Sequence, residues 1–218
     1  KIMSRGIRLM IVDDLKFIRQ GTIALLKSEA PDIEVVGEAE TGEDAVRLAR
    51  ECQPDVVLMD LQMPGMGGME ATRKLIRINP EMKILALTVC QSDIFPTRLL
   101  EEGASGYVTK DCDIKEVVRA IREVFAGKRY ISPSIAQNLA LKRYAGKDTT
   151  PFDSLSEREL QVMIMITKGE KPQLIADTLH LSPKTVNTYR YRLFEKLGVK
   201  SDVELTLLAL RQGIVEGS

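Results

Sequence analysis

The sequence predicts a doubly wound α/β domain with five parallel strands, followed by an all-α domain of four helices. Three observations lead there. The first 127 residues alternate short β-rich runs with amphipathic stretches, residues 153–218 carry helical spacing throughout, and a basic stretch without periodicity separates them. At 218 residues the chain exceeds the usual size of one domain, so two cores of roughly 100 residues or fewer are expected.

Strands are expected over residues 8–12, 33–37, 56–59, 84–88 and 106–109, each short and rich in Val, Ile, Leu or Met. Between them, Ala45, Leu48, Ala49 and Cys52 fall at i, i+3, i+4 and i+7, and Ile114, Val117, Val118, Ile121 and Phe125 continue that spacing further along. Five strand–helix repeats need parallel strands with crossover helices on both faces, a flavodoxin-like arrangement. Ligands in such sheets bind at the carboxyl ends of the strands. This first domain is placed at residues 7–126 and a linker at 127–152, with a helix around residues 133–143.

The second domain, residues 153–218, carries its helix boundaries in its caps. Ser156 with Glu159 forms a capping-box pattern before Leu160 and Ile164, and Gly169 stops that helix. A second helix covers residues 172–179. Ser182 as N-cap with Pro183 at the first helical position announces a third, which Gly198 ends. Ser201 with Glu204 repeats the capping box before Leu205, Leu208 and Ala209.

Composition narrows the functional classes. With 44% hydrophobic and 28% charged residues, no run approaches the ~18 apolar residues of a spanning helix, and the first residues lack a secretory signal pattern. A cytoplasmic protein is expected. Cys52, Cys90 and Cys112 have no CxxC or Cys/His spacing and read as reduced thiols, and the single histidine, His180, argues against a histidine metal cluster. The zero net charge hides an asymmetry: residues 1–127 sum to −4 and residues 128–150 to +4. Residues 180–200 hold Lys184, Arg190, Arg192, Lys196 and Lys200 against Glu195 alone, a local +4.

Chemistry concentrates at one rim of the expected sheet. Asp13 and Asp14 follow the first strand, Asp60 ends the third, Thr88 the fourth and Lys110 the fifth. Three carboxylates at one rim repel one another unless a hard cation sits between them, and Mg2+ with oxygen ligands suits that geometry. A phosphoryl group arriving there needs an oxygen nucleophile and a fixed positive charge. Asp60 can supply the first, Lys110 the second, and the Thr88 hydroxyl a hydrogen bond.

The segments IVDD, VVLMDLQMPGMGG, ILALT and GYVTK resemble the motifs of response-regulator receiver domains, which share the CheY-like fold. The resemblance implies that Asp60 accepts a phosphoryl group from a sensor histidine kinase. It implies Mg2+ held by Asp14 and Asp60 directly, by Asp13 through water and by the backbone carbonyl of Gln62, with Tyr107 as the switch aromatic. Catalysis would be confined to transfer to, and hydrolysis from, the chain's own Asp60. Some positions depart from the pattern: Leu15 follows the acidic pair where His is common, Gly67 replaces an Asp, and Asp111 follows Lys110 where Pro is common. A phosphatase of the haloacid-dehalogenase type is the rival reading. It would need a DxD pair after the first strand, whereas the chain has Asp13, Asp14 and Leu15.

The stretch LSERELQVMIMITKGEKPQLIADTLHLSPKTVNTYRYRLFEKLGV resembles the LuxR-type helix-turn-helix of NarL/FixJ response regulators, within them the group containing GacA and UvrY. Val186, Leu193 and Leu197 form an inward stripe on the third helix, and Lys184, Asn187, Thr188, Tyr191 and Glu195 an outward one. By family position, Asn187, Thr188 and Tyr191 would read base edges of promoter DNA in the major groove, while Lys184, Thr185, Arg190 and Arg192 hold the backbone. Pro172 and Gln173 stand where Asn-Lys is common. The resemblance further implies a kinase of the BarA/GacS type as phosphodonor and a homodimer on DNA, with outward Thr206 and Leu210 of the last helix as pairing candidates. It also implies a receiver that masks the recognition helix until phosphorylated. A helical tail that binds protein or RNA is the alternative that stays open.

Overall fold

The computed structural model describes residues 6–88, 94–144, 150–212 and 214. The chain divides into two compact units, the first built mainly on residues up to 132 and the second on residues from 133 onward.

The first unit is a parallel sheet with helices on both faces. Its strands are β1 (Ile7–Val12), β2 (Ile33–Ala39), β3 (Val56–Asp60), β4 (Lys83–Thr88), β5 (Gly106–Thr109) and β6 (Tyr130–Ile131), in the order β2-β1-β3-β4-β5-β6. Its helices are α1 (Lys16–Glu29), α2 (Gly42–Cys52), α3 (Gly67–Ile78), the part of α4 (Ile94–Glu101) from residue 98 onward, and α5 (Ile114–Phe125). Side chains alternate across the pleat. Leu9, Ile11, Val56 and Leu58 enter one core with Ile23 and Leu26 of α1 and Val117, Val118, Ile121 and Val124 of α5. Met10, Val12, Val57 and Met59 enter the other with Ala45 and Ala49 of α2 and Ala71 and Leu75 of α3. Because both faces are covered, the central strands read as unbroken apolar runs.

The sheet has six strands, not the five expected, and the sixth lies inside the stretch assigned to the linker. Tyr130 N–H donates to Ser105 O (3.1 Å) and Ser132 N–H to Tyr107 O (3.0 Å). The buried Ser132 hydroxyl donates to Glu116 Oε1 on α5 (2.6 Å). Two residues cannot display a period-2 pattern, so tertiary pairing alone defines this strand.

The second unit holds α6 (Pro133–Tyr144), a 3-10 turn (Pro151–Ser154), α7 (Glu157–Thr167), α8 (Pro172–Leu179), α9 (Pro183–Leu197) and α10 (Asp202–Arg211). The Ser156–Glu159 box forms, with Ser156 N–H donating to Glu159 Oε2 at 2.7 Å. Ser182 caps α9, and Gly198 closes it in the left-handed region at φ 66°. On α10 the box differs from expectation: Ser201 caps Glu204 N–H, but the Glu204 carboxylate takes the N–H of Lys200 instead of Ser201 (2.8 Å). Helix α7 packs against α9 and α10, and α8 against α9. Phe152, Leu160, Met163, Ile175, Val186, Leu193, Leu205 and Ala209 are buried there.

Candidate functional site

The register of the sheet brings the acidic residues together. Val12 of β1 pairs with Met59 of β3, so Asp13 and Asp60 both follow directly and lie level at the carboxyl rim. Thr88 pairs with Thr109, which puts Lys110 next at the same rim. Asp13, Asp14 and Asp60 each offer a carboxylate oxygen, all within 4.8 Å of one another. Lys110 Nζ stands 2.8 Å from Asp60 Oδ2 and 2.7 Å from Asp13 Oδ2. The backbone of Thr88 is in place, but its side chain lies outside the described part of the structure, as does Cys90.

Local hydrogen bonds hold each acid. Asp13 Oδ1 accepts from Leu15 N–H (2.8 Å) and Asp60 Oδ1 from Gln62 N–H (3.0 Å), so each carboxylate folds back on the turn that follows it. The loop after Asp60 depends on glycine. A Cβ on Gly68 would sit 2.1 Å from Asp60 O, and Gly65 adopts φ 74° with Glu43 bonding the neighbouring Met66 N–H (3.0 Å). Gly67 also has positive φ, 75°, which accounts for glycine at that departure from the motif.

Burial raises the Asp60 carboxyl above the ordinary carboxylate range, although the Lys110 ammonium and the Gln62 N–H pull the other way. For Lys110 burial works against the charge, but the Asp60 and Asp13 carboxylates outweigh it and hold the ammonium above its usual value. The Lys110–Asp13 contact is an ion pair by distance yet lies off the direction of a hydrogen bond, so the buried Asp13 Oδ2 has no directed donor. Three carboxylates with oxygens within 4.8 Å of one another, two of them against the Lys110 ammonium, fit a divalent cation with oxygen ligands. Tyr107 on β5 is fully buried in the core. Burial pushes the Cys112 thiol up to about 11, in keeping with an unreactive thiol.

In the second unit, α9 presents two faces as its spacing predicts. Val186 and Leu193 are buried, while Lys184, Thr188, Tyr191, Arg192 and Glu195 are exposed and Thr185 and Asn187 partly so. Tyr191 is 69% exposed, with its ring edge-on to Phe194 at 6.4 Å. Arg190 is turned away from this face. Its guanidinium makes a two-pronged ion pair with Asp202 of α10 (2.7 Å for both bonds) and lies 5.5 Å over the Phe194 ring. Lys196 is likewise engaged, with Glu159 of α7 at 2.8 Å.

Residues 9–122 match the response regulator receiver domain family, and residues 153–209 match the bacterial regulatory proteins of the luxR family. The response regulator GacA of Pseudomonas protegens is 56% identical over 212 residues, covering 97% of this chain and 99% of that protein. The chain belongs to the response regulators. The response regulator UvrY of Escherichia coli is 51% identical over 209 residues, 95% of each chain. Among solved structures, a LuxR-family two-component response regulator from Aurantimonas sp. SI85-9A1 is 44% identical with a TM-score of 0.61, covering 64% of this chain and 99% of that one. RcsB of Salmonella enterica serovar Typhimurium bound to promoter P1flhDC shares the fold at 23% identity, with a TM-score of 0.70 and coverage of 96% and 100%.

This response regulator thus combines a receiver domain with a LuxR-type DNA-binding domain. Among its described residues, no helix is long and apolar enough to cross a membrane. The expectation for the outward face of α10 needs revision. The exposed apolar side chains of α10 are Val203 (69%) and Leu207 (48%), not Thr206 and Leu210, which are half-buried; the Thr206 hydroxyl is occupied by Asp202 O at 2.7 Å. Sequence reasoning also passed over Arg19, which is buried beside the acidic pocket. The signal was present, since Arg19, Ile23 and Leu26 stand at i, i+4 and i+7 and extend the apolar stripe of α1 by one turn.

Proposed function

We propose that this response regulator is a cytoplasmic protein phosphorylated on Asp60 by a sensor histidine kinase, and that the phosphorylated form binds promoter DNA through α9. The receiver spans residues 7–126 and continues through β6 into the linker of 127–152, and the DNA-binding domain spans 153–218. The observation that carries the phosphoryl reading is Lys110 Nζ bridging Asp13 and Asp60 at the carboxyl rim. An Asp60 oxygen would attack phosphorus while the P–N bond to the donor histidine breaks, the electron pair leaving with the imidazole. Asp13, Asp14, Asp60 and the Gln62 carbonyl would hold Mg2+, which when bound supplies charge to the phosphoryl oxygens. Lys110 then shifts from the carboxylates toward a phosphoryl oxygen, Thr88 donates a hydrogen bond, and the Tyr107 position follows that of Thr88. The resemblance to GacA and UvrY supports a kinase of the GacS/BarA type as donor.

On α9 the partly exposed Asn187 and the exposed Thr188 and Tyr191 would meet base edges, and Lys184, Thr185 and Arg192 the phosphates. Arg190 enters that second group only if its ion pair opens. The relative RcsB, solved on promoter DNA and in one structure as two dimers, supports a DNA-bound homodimer. The test is acetyl phosphate treatment of wild type and Asp60→Asn, followed by duplex gel shift. Acid-labile phosphate and tighter DNA binding are expected for wild type alone. Undiminished labelling of Asp60→Asn would reject the phosphoacceptor, and no binding to any duplex would favour a protein- or RNA-binding tail. Lys110→Ala should retain some label and lose the gain in DNA binding.

A further inference from the structure

We infer that Arg19 is a positioning residue of the acidic pocket, its buried guanidinium fixing the β1–α1 turn so that Asp13 and Asp14 face Asp60. The inference rests on reading that pocket as the Mg2+ and phosphoryl site. Arg19 is only 5% exposed, a burial that arginine tolerates only when its donors are matched. Three acceptors take one bond from each of its nitrogens. Nη1 donates to the Asp13 carbonyl (2.7 Å), Nη2 to Glu40 Oε1 (2.7 Å), and Nε to Glu38 Oε2 at a longer 3.4 Å. Glu38 lies in β2 and Glu40 just beyond it, so a single side chain ties the end of β2 to the turn after β1.

The same turn is held from its other side. Asp13 N–H donates to Ala39 O (3.1 Å), and Asp13 Oδ1 accepts from Leu15 N–H (2.8 Å). The Asp13 N–H, its carbonyl and one carboxylate oxygen thus each have a fixed partner, which leaves Oδ2 as the oxygen beside Lys110 Nζ at 2.7 Å. The carbonyl that Arg19 grips belongs to the peptide joining Asp13 to Asp14. Rotation of that peptide would swing the Asp14 carboxylate out of line, so the grip sets where both acids stand.

Two effects of removing Arg19 have opposite signs. By charge alone, deleting a cation near three carboxylates would tighten Mg2+ binding. By geometry, releasing the Asp13 carbonyl would loosen the ligand set and weaken it, as loss of an outer partner of a metal ligand commonly does. Geometry is expected to dominate, because the guanidinium holds the Asp13 main-chain carbonyl directly at 2.7 Å, while its carboxylate partners are Glu38 and Glu40 and not the acids of the cluster. The planar fork matters as well, since an ammonium is poorly shaped to span three acceptors at the ends of β1 and β2.

The experiment measures the Mg2+ dissociation constant of the full-length chain by calorimetry for wild type, Arg19→Met and Arg19→Lys. It also measures the initial rate of acetyl phosphate labelling against Mg2+ concentration, with thermal melts to establish folding. Arg19→Met should bind Mg2+ about tenfold more weakly, Arg19→Lys should recover only part, and the labelling deficit should close as Mg2+ is raised. A merely structural role would lower the melting temperature without moving the dissociation constant of the folded protein. Mg2+ binding that is unchanged or tighter in Arg19→Met overturns the inference. Should Arg19→Met not fold, Arg19→Lys decides alone: the charge is kept and the fork lost, so wild-type affinity would overturn it equally. Asp13→Asn is the control for the underlying reading, because wild type that binds no Mg2+, or Asp13→Asn that binds it as wild type does, rejects the pocket itself.

Discussion

Arg190 and Arg192 stand two residues apart on α9 and have different tasks. Arg192 is exposed, whereas Arg190 holds Asp202 with two bonds of 2.7 Å. Both partners of that pair are partly solvated, at 31% and 43% exposure, so solvent screening limits it to ~1 kcal/mol. Arg190→Ala is therefore expected to lower the stability of the DNA-binding domain by about that amount. Arg192→Ala should leave the melt unchanged, weaken binding to every duplex alike and reduce the salt slope by about one. Asn187→Ala and Tyr191→Ala should each cost roughly 1–3 kcal/mol on the preferred site and much less on unrelated DNA. Thermal melts and gel shifts at two salt concentrations separate these outcomes. An Arg190→Ala variant that melts like wild type but loses DNA binding as Arg192→Ala does would mean that the ion pair opens to contact phosphate.

At the scale of elements, one buried acid links α7 to α9. Glu159 caps Ser156 and accepts from Lys196, its side chain 4% exposed. Burial alone would raise its carboxyl, but the Lys196 ammonium and the Ser156 N–H and hydroxyl together hold it below the ordinary glutamate range. A carboxyl depressed in the folded state contributes stability above its unfolded value, and that contribution is lost as pH falls through the folded one. Acid unfolding of the DNA-binding domain should therefore steepen below about pH 4.3, and Glu159→Gln should flatten that limb while costing about 1–2 kcal/mol at neutral pH. Identical acid limbs for the two proteins would exclude Glu159 from the transition. The cap itself was legible in the sequence, because Ser156 and Glu159 are three residues apart. Its ion pair was not, since Lys196 lies 37 residues further on and only packing of α7 on α9 brings the two together. The same distinction separates the rest of the fold. Strand ends marked by Asp13, Asp60 and Lys110 could be read directly because a short apolar run stops there, whereas β6 and the Arg190–Asp202 bond follow from tertiary neighbours. The burial of Arg19 lay between these cases, visible as helical spacing yet disguised by its charge.

Charge bears on how the whole molecule is controlled. Residues 1–127 sum to −4 and residues 180–200 to +4, which suggests an acidic receiver competing with DNA for a basic helix. The ion pairs reduce that contrast. Lys196 and Arg190 are neutralised by Glu159 and Asp202, both outside residues 180–200, so the segment presents about +2 to its surroundings. Long-range attraction of that size is screened within about 8 Å at physiological salt, so charge alone is a weak basis for control of α9 by the receiver. The DNA-binding domain has the core to be tested alone, with Phe152, Leu155, Met163, Leu193 and Leu205 buried in the second unit. A fragment from residue 151 onward is expected to bind DNA without phosphorylation, and the full-length protein to bind more tightly once Asp60 carries phosphate. The ratio between fragment and unphosphorylated protein should change little between 50 and 200 mM salt, even as each affinity falls with counterion release. A ratio that collapses at higher salt would return the mask to electrostatics. Equal affinity of fragment, unphosphorylated and phosphorylated protein for one site would remove the receiver from control of DNA binding, with the phosphoacceptor assignment unaffected.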